Sequence, residues 1–311
     1  MGAASLRRLK ELFSHARQTG MTTYPLSPEQ VRHYRIEGYV VAESVFGRED
    51  LATIDQTIRE LTDRALGGED MSKILELEPE PLDGRRVPRR IFNPYDQHPA
   101  FRALAEDPRL LDRIETLIGP DFNLQHSKLN MKPAKVGSVV DWHQDLAYFP
   151  HTNDDLVTTL IYLDDATEEN GCLQVLPRHQ HHFFDHTGPD GKFAGMIRED
   201  LSDGRFGKPV SLAAPAGSAI FMHCITPHAS LPNRSSRPRR TLIYEYRAAD
   251  AYPIYYGEMT AIAEAKQRPI RGRPAPFARF GGPPPLIPNV GKYASLYELQ
   301  AQTKTKLAAT S

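Results

Sequence analysis

The segment FNLQHSKLNMK (residues 122–132) marks the point at which the chain changes character. From here on, the segments are short and rich in β-forming residues, and several alternate between apolar and polar positions with a period of two. Turn signals such as Asn170-Gly171 and Ala216-Gly217 separate them. The predicted strands cover residues 122–132, 156–163, 173–176, 209–212, 218–224 and 241–246. This half of the chain is therefore predicted to be a β-sandwich or jelly roll.

The first half of the chain carries helical patterns instead. Ser27 and Gln30 occupy the N-cap and capping-box positions of a predicted helix. Residues 48–66 and 99–118 have helical periodicity, whereas residues 67–98 are predicted to be loop. Helices followed by many short strands favour an all-β core with flanking helices (α+β), specifically a double-stranded β-helix (jelly roll, cupin-like) buttressed by N-terminal helices.

One domain is predicted over residues 27–300. Residues 1–26 are predicted to be a flexible N-terminal extension, although a mitochondrial presequence stays open because the first twenty residues contain a single acid. Residues 301–311 are polar and predicted to be a frayed tail. Two further segments are predicted to be irregular: an insertion loop over one mouth of the core at 184–208, and a proline-rich, non-helical stretch at 267–291.

Bulk composition excludes some classes of protein. The formal net charge of -1 gives no support to a nucleic-acid binder, which usually has a basic excess. No run approaches the eighteen or so apolar residues of a transmembrane helix. The two cysteines, Cys172 and Cys224, are expected to be unpaired thiols in a reducing compartment, and a cytoplasmic location is expected.

Candidate metal ligands lie in Asp141-Trp142-His143-Gln144-Asp145. In an extended strand, positions two apart face the same side, so His143 and Asp145 are predicted to offer a nitrogen and an oxygen to one ion. A second histidine from a distant strand would complete the three-ligand face of non-haem Fe(II) oxygenases. The His-x-Asp pattern alone is weak evidence, because chance matches are common.

The segment GSAIFMHCITPHAS (217–230) contains candidates for the third ligand. A glycine turn leads into an apolar strand that ends in two histidines, His223 and His228. Eleven residues beyond His228 lies Arg239, at the start of an alternating strand. A guanidinium pairs bidentately with carboxylates, so Arg239 is a candidate for binding a carboxylate held beside the metal.

Three blocks together resemble the phytanoyl-CoA dioxygenase family: HQDLAYFP (143–150), NGCLQVLP (170–177) and the stretch from FMH to Arg239 (221–239). The likeness covers roughly residues 27–250, with the blocks in family order and spacing. It implies a double-stranded β-helix, an Fe(II) centre, and 2-oxoglutarate and O2 as cosubstrates. It also implies hydroxylation of an unactivated carbon of a small organic molecule or acyl-CoA, with release of succinate and CO2.

Carried over position by position, the resemblance implies that His143, Asp145 and His228 bind the iron. Arg239 then matches the arginine that binds the distal carboxylate of 2-oxoglutarate, and Ser230 lies where a hydroxyl often assists it. Related halogenases replace the metal-binding carboxylate with glycine or alanine, so Asp145 favours hydroxylation, desaturation or ring chemistry. Lys132 matches a lysine that in some relatives lies near the cosubstrate, and looser matches place Lys128 and Arg90 in the same pocket.

Other residues near these motifs are expected to have structural roles. Gln144 is expected to point away from the metal, and His223 to pack beside the site, because a fourth ligand would fill a position needed by oxygen or cosubstrate. Tyr148, Phe149 and Trp142 are expected in a pocket wall or core. The clustered loop histidines are expected to be solvated: His179, His181, His182 and His186.

The segment PRHQHH (177–182) departs from the family pattern, in which a glycine and a nearby histidine follow this proline. The departure puts the conformation of the following loop, and with it the choice of substrate, in doubt. Two alternatives to the dioxygenase stay open. One is a non-catalytic, cupin-like metal-binding protein, and the other is a 2-oxoglutarate-independent iron oxygenase.

Overall fold

The structure is a computed structural model that describes residues 23–79, 81–82, 84–135, 139–201, 204–254, 268–283 and 296–310. The helices within them are α1 (Pro28–Glu37), α2 (Arg48–Leu66), α3 (Pro94–Gln97), α4 (Pro99–Ala105), α5 (Pro108–Ile118) and α6 (Leu296–Thr310). The strands are β1 (Tyr39–Ala42), β2 (Leu75–Leu77), β3 (Pro88–Phe92), β4 (Phe122–Lys132), β5 (Val140–His143), β6 (Leu156–Tyr162), β7 (Leu173–Val175), β8 (Val210–Ser211), β9 (Ala219–His223), β10 (His228–Ser230), β11 (Arg239–Ala248) and β12 (Pro269–Arg271).

Two antiparallel sheets form the core. The larger has the strand order β1-β9-β6-β11-β4-β3-β2, with β12 also pairing with β4, and the smaller has the order β5-β10-β7-β8. The described strands do not close into a barrel. This arrangement confirms the predicted jelly roll with N-terminal helices.

Strand β11 separates two environments. Its even-numbered residues Leu242, Tyr244 and Tyr246 belong to the apolar core shared with the helices. The Tyr244 and Tyr246 hydroxyls donate hydrogen bonds to the carbonyls of Phe101 (2.6 Å) and Ala105 (2.7 Å), which fixes α4 against the sheet. Because side chains alternate along a strand, the odd-numbered residues face the smaller sheet.

The space between the two sheets, called the lumen below, is apolar at one side and polar at the other. Leu160, Val175 and Ile243 belong to an apolar cluster between the sheets. The strand registers place polar side chains on the rest of the same inner face: Arg90, Lys128, Asn130, Lys132, Thr158, Arg239, Thr241 and Glu245. Buried charges are stable only when they are paired or bind a ligand, so this face is where a functional site is expected.

Residues 67–98 were expected to be loop, and this is wrong in part. Residues 75–77 and 88–92 form β2 and β3, which extend the larger sheet beyond β4. The strands are short and lie in a stretch rich in Pro, Glu and Arg, so their local sequence favours loop. Their structure depends on pairing with β4, for example Ile91 with Leu129.

The helical stretch 99–118 is two helices rather than one. Asp107 caps α5, because its carboxylate accepts a hydrogen bond from the backbone N–H of Arg109 (2.7 Å). Pro108 follows as the first helical residue, where a missing N–H costs nothing. The sequence Asp-Pro therefore ends one helix and begins the next.

The expectation of a frayed tail at 301–311 is wrong for residues 301–310, which belong to α6. Gln300 and Thr303 are buried and donate hydrogen bonds to the carbonyls of Gly195 (2.8 Å) and Ala194 (2.9 Å). The helix is held by docking onto the segment 194–195, not by a local sequence signal.

Further predictions concern the irregular segments, the two cysteines, membrane-spanning helices and the N-terminal extension. Residues 184–201 and 204–208 contain no helix, and within 268–283 the only regular element is β12, as expected for irregular segments. Cys172 and Cys224 are free and buried, as predicted. Within the described chain, no helix is long and apolar enough to cross a membrane. Most of the predicted N-terminal extension, residues 1–22, lies outside the described residues.

The glycine turn before β9 gives a test of the fold. Gly217 has φ +85°, and a Cβ there would lie 2.1 Å from the Phe46 carbonyl oxygen. We expect Gly217→Ala to lower the free energy of unfolding by more than about 2 kcal/mol, since strain and a backbone clash add. Gly191 (φ +71°) faces open space, so Gly191→Ala should cost only about 1 kcal/mol. Equal losses in denaturant unfolding of both variants would contradict this account.

Candidate metal centre

Three predicted ligands meet at one end of the lumen. His143 ends β5 and pairs in register with His228, the first residue of β10. Their Nε2 atoms lie 3.8 Å and 3.7 Å from Oδ1 of Asp145. All three side chains are buried, and their donor atoms lie within 4.8 Å of one another. Two imidazole nitrogens and a carboxylate oxygen on one side of a point are the ligand set of a non-haem Fe(II) site.

The local route to this geometry differs from the one predicted. Strand β5 ends at His143, and Asp145 begins a short 3₁₀ turn (Asp145–Ala147). Gln144 between them stays extended (φ -123°, ψ 131°), so the two ligand side chains still lie on the same side. The prediction of a shared face is correct, but only part of the motif is strand.

Gln144 has the structural role that was expected. Its buried amide donates to the carbonyls of His182 and Ile225 (both 2.6 Å) and accepts from the backbone N–H of Phe184 (2.9 Å). These three bonds join the segments on either side of the metal centre. The side chain therefore holds the loop after β7 against the end of β9.

Backbone carbonyls orient both imidazoles. Nδ1 of His143 donates to the Asp141 carbonyl (2.8 Å), and Nδ1 of His228 donates to the Thr226 carbonyl (3.0 Å). With Nδ1 protonated, the lone pair of each ring is on Nε2, which faces Asp145. Burial, together with the nearby His228, lowers the pKa of His143 well below its ordinary value. That ring is therefore held in the neutral form that a metal requires.

Asp145 is oriented by Thr158, which the sequence motifs did not identify, and by Lys128, which a looser family match placed in the pocket. Its Oδ2 accepts a 2.7 Å hydrogen bond from the hydroxyl of Thr158, and Lys128 Nζ lies 4.0 Å from Oδ1. Lys128 is itself paired at 3.1 Å with the buried carboxylate of Glu245, which also lies 3.1 Å from Nδ1 of His126. A glutamate at an inward-facing position of an apolar strand is a signal that could have identified Glu245.

The charges around Asp145 keep it ionised. Burial alone would raise the pKa of this carboxyl, but His228 and Lys128 outweigh that effect and hold its pKa well below the usual range. In the same way, Glu245 and Asp145 outweigh burial and raise the pKa of Lys128. The site therefore offers an anionic oxygen ligand and a cation fixed beside it.

A basic cluster, Arg239 and Lys132, lies further along the lumen. The two residues face each other in register on β11 and β4. Arg239 is buried, and it donates to the Thr241 hydroxyl (2.7 Å) and the Gly171 carbonyl (2.6 Å), while its Nε has no hydrogen-bond partner among the described residues. No carboxylate of the described residues pairs with either cation.

Lys132 and Ser230 complete the surroundings of this cluster. Lys132 Nζ donates to the backbone carbonyl of Ser230 (3.2 Å) and also to that of Leu231. Burial and the neighbouring Arg239 lower the pKa of Lys132 to about 6. Two basic groups held together without an acid form a site suited to an anion.

Arg239 differs in orientation from the other arginines of the segment SRPRR (residues 236–240). Arg240 points to the opposite face of β11, where it pairs with Asp164 (2.7 Å) and Asp55. Arg237 is exposed. Arg239 is the member of this group whose side chain lies on the lumen face of β11.

The remaining histidines do not join the metal centre. In the described residues, His143, Asp145 and His228 are the one group of three such side chains close enough to hold a metal ion. His223 instead lies on the helix side of the larger sheet, 6.2 Å from the Tyr34 ring of α1, and its Nδ1 accepts from the backbone N–H of Ile225 (3.2 Å). Contrary to the expectation of solvated loop histidines, His186 is buried, and its Nε2 accepts from the backbone N–H of Gln144 (3.2 Å).

The aromatic side chains of the metal motif lie in apolar surroundings, as expected. Tyr148 and Phe149 are buried in a cluster with Leu146, Phe193 and Leu299. Trp142 packs at the edge of a separate cluster. Leu299 belongs to α6, so the C-terminal helix covers the turn that carries Asp145.

Comparison with known proteins agrees with this site. The sequence profile of the phytanoyl-CoA dioxygenase (PhyH) family matches residues 34–241. A probable alpha-ketoglutarate-dependent hypophosphite dioxygenase from Stutzerimonas stutzeri is 32% identical over 273 residues, which cover 84% of this chain and 91% of that protein. An ectoine dioxygenase from Bordetella parapertussis is 26% identical over 244 residues, covering 72% of this chain and 76% of that protein.

A solved structure extends the comparison to the fold. EctD from S. alaskensis with bound Fe superimposes with a TM-score of 0.63 at 22% identity, covering 84% of this chain and 90% of that chain. The chain belongs to the phytanoyl-CoA dioxygenase family. It is an enzyme of the iron- and 2-oxoglutarate-dependent dioxygenase class, as the three sequence blocks predicted.

The hydrogen bond from Thr158 to Asp145 can be tested without a substrate. Groups that orient a metal ligand typically contribute 10- to 100-fold to metal affinity. We expect Thr158→Val to weaken Fe(II) binding by about tenfold in anaerobic titrations. The adjacent Thr159 is also buried, but its hydroxyl donates to the Tyr244 carbonyl (2.8 Å) on the other face of β6. Thr159→Val is therefore the matched control, and an equal loss of affinity in both variants would argue against orientation by Thr158.

Proposed function

We propose that this enzyme binds Fe(II) through His143, Asp145 and His228, binds 2-oxoglutarate through Arg239, and hydroxylates a small molecule. The observation that carries the proposal is the pairing of two unsatisfied sites in one lumen. One is a buried two-histidine, one-carboxylate cluster, and the other is a buried guanidinium that no acid in the described part of the chain pairs with.

The two sites have a separation that suits the cosubstrate. His228 and Ser230 lie two residues apart on β10, which corresponds to about 7 Å along a strand. The Ser230 carbonyl contacts Lys132, which faces Arg239 in register. A five-carbon dicarboxylate with one end at the metal can therefore present its other carboxylate to Arg239.

The roles of the protein groups follow from their contacts. When bound, Fe(II) and 2-oxoglutarate supply the oxidising chemistry with O2 and release succinate and CO2. Thr158 and Lys128 hold Asp145 in one orientation, so that a carboxylate fills the ligand position that a halide would need. This arrangement supports hydroxylation over halogenation. The apolar cluster around Leu146 and Leu299 limits access of water to that side of the site.

The substrate is proposed to be a small polar molecule, not an acyl-CoA. Helix α6 spans from the turn after Asp145, where Leu299 packs, to β3, where Tyr297 contacts Arg90. Both of these α6 side chains are buried, which leaves less room for a long acyl chain at this side of the lumen. The relatives are named for hypophosphite and for ectoine, which are small and polar.

The two alternatives have less support. A metal-binding protein without turnover, or an iron oxygenase that does not use 2-oxoglutarate, gives no role to the buried Arg239. Anaerobic addition of Fe(II) and 2-oxoglutarate distinguishes them, because the chelate gives a weak visible charge-transfer band. No band in the wild-type protein would rule out the proposed cosubstrate.

Replacing Arg239 tests the binding of the distal carboxylate. We expect Arg239→Gln to weaken 2-oxoglutarate binding by roughly 10- to 100-fold, the range for a lost hydrogen bond to a charged group. The measurement is the dependence of the charge-transfer band on 2-oxoglutarate concentration. Arg240→Gln is the matched control, since Arg240 lies next in sequence but pairs with Asp164 on the opposite face. Similar binding by wild type and Arg239→Gln would show that another group holds this carboxylate.

Turnover is tested separately by succinate release. A screen of small acids, amino acids and acyl-CoAs should identify substrates that stimulate succinate formation in the wild type. Asp145→Ala should lose iron and turnover together, because the remaining two histidines do not form the ligand face. Turnover that survives this change would mean that the metal ligands are misassigned.

A further inference from the structure

We propose that Arg90 binds the anionic group of the substrate, and hence that the substrate is a small anion. This inference rests on the proposed function and assigns the substrate side of the same lumen. It begins from an unusual feature of β3: a buried guanidinium that no acid of the described residues pairs with.

The position of Arg90 follows from the sheet register. Arg90 pairs with Asn130 on β4, which pairs with Thr241 on β11. The neighbouring Ile91 and Leu129 lie in the apolar core on the helix side. Because side chains alternate, Arg90 and Asn130 project to the other side of the sheet, into the lumen.

Contacts fix the guanidinium but leave its charge unbalanced. Its Nε donates to Oδ1 of Asn130 (3.0 Å). The guanidinium carbon lies 4.9 Å from the centre of the Tyr297 ring and 5.7 Å from that of Phe92. Only 6% of the residue is exposed. Aromatic faces and a neutral amide support a cation, but they do not replace the carboxylate that a buried arginine usually has.

The formal charges expected with Fe(II) and 2-oxoglutarate bound also leave the charge of Arg90 uncompensated. The positive charges of Fe(II) and Arg239 offset the negative charges of Asp145 and the 2-oxoglutarate dianion. Lys128 and Glu245 offset each other at 3.1 Å. Arg90 has no counter-charge among the described residues, because Glu76, which faces it in register on β2, lies 3.7 Å from Arg89 instead. Protonation of Lys132 would only add to the excess positive charge. An anionic substrate would remove it.

Arg90 is unlike Arg239 in its distance from the cosubstrate. The two residues lie on β3 and β11, which are separated by β4, so their strands are about 10 Å apart. Arg239 lies next to Lys132, close to Ser230 on the strand that carries His228. A dicarboxylate extending from the metal to Arg239 therefore leaves Arg90 free for a second anion.

The neighbouring Arg89 shows what a structural arginine looks like at this edge. Its guanidinium carbon lies 3.5 Å from the centre of the same Tyr297 ring. Unlike Arg90, it has an acid within reach, Glu76 at 3.7 Å. Arg89 therefore has a charge partner within the protein and serves as the matched control.

The contacts of Arg90 indicate which kind of anion it could bind. The site offers the terminal nitrogens of one guanidinium, backed by aromatic rings, within a lumen that also holds the metal centre. A compact oxyanion, either a phosphorus oxyanion or a small carboxylate, fits that donor set. The relative named as a hypophosphite dioxygenase is consistent with a phosphorus oxyanion.

The test measures binding to the anaerobic complex of the enzyme with Fe(II) and 2-oxoglutarate. The probes are hypophosphite, methylphosphonate and acetate, with dimethyl methylphosphonate as the neutral counterpart of one of them, and binding is followed by titration calorimetry. We expect at least one anion to bind the wild type about tenfold or more tightly than the neutral ester. Preference among the three anions separates phosphorus oxyanions from carboxylates.

Four variants locate the binding group. Arg90→Gln should weaken anion binding by about tenfold or more, and Arg90→Lys should retain part of the affinity. Arg89→Gln should bind the anion within about twofold of wild type. In Arg90→Gln, the affinity for 2-oxoglutarate should stay within about twofold, whereas Arg239→Gln should lose it. Thermal unfolding of each variant shows whether the fold is kept, and Arg90→Lys provides a reading if Arg90→Gln does not fold.

Contrary outcomes are distinct from failure of the proposed function. The inference is overturned if none of the anions binds the loaded wild type more tightly than the neutral ester, or if Arg90→Gln and Arg90→Lys bind them as well as wild type does. It is also overturned if Arg90→Gln loses 2-oxoglutarate as Arg239→Gln does, which would make Arg90 a cosubstrate ligand. Failure of the proposed function appears earlier, as a wild-type protein that does not form the complex with 2-oxoglutarate.

Discussion

The pairing of β11 with β4 imposes the constraint on which the rest of the structure depends. One face of this pair must be apolar, because Leu242, Tyr244 and Leu129 pack against the helices. The other face carries charged groups into a space between two sheets, where water does not satisfy them. Each buried charge there needs a partner, supplied either by the protein or by a ligand. Glu245 and Lys128 pair with each other, whereas Arg239 and Arg90 have no acid partner among the described residues.

The metal centre follows the same rule. Asp145 is ionised in a buried position because His228 and Lys128 lie beside it, and a metal ion would complete its compensation. The backbone carbonyls of Asp141 and Thr226 fix which nitrogen of each histidine is free. The ligands are therefore positioned by backbone geometry at the ends of β5 and the start of β10, elements that the inter-strand register holds together.

The sequence was most informative where chemistry and local pattern coincide. The structure brings together the predicted ligands His143, Asp145 and His228, which belong to blocks with family spacing, and strand periodicity identified β4 and β11. Contacts between distant segments were not foreseen. The strands β2 and β3 form because β4 offers an open edge, and α6 is held by burial of side chains against residues 194–195. Neither feature leaves a strong local signal.

The difference between predicted and unpredicted parts of the site bears on substrate specificity. The residues predicted from the sequence, the three candidate metal ligands and Arg239, are those to which the family resemblance assigns the iron and the cosubstrate. The parts that were not predicted include α6, which lies beyond the matched residues 34–241, and the strand β3 that it covers. Family membership therefore defines the oxidising chemistry, while the wall formed by Arg90 and Tyr297 depends on the packing of α6, which lies outside the matched residues, against β3. A substrate assignment that rests on the family name alone would leave that wall unexplained.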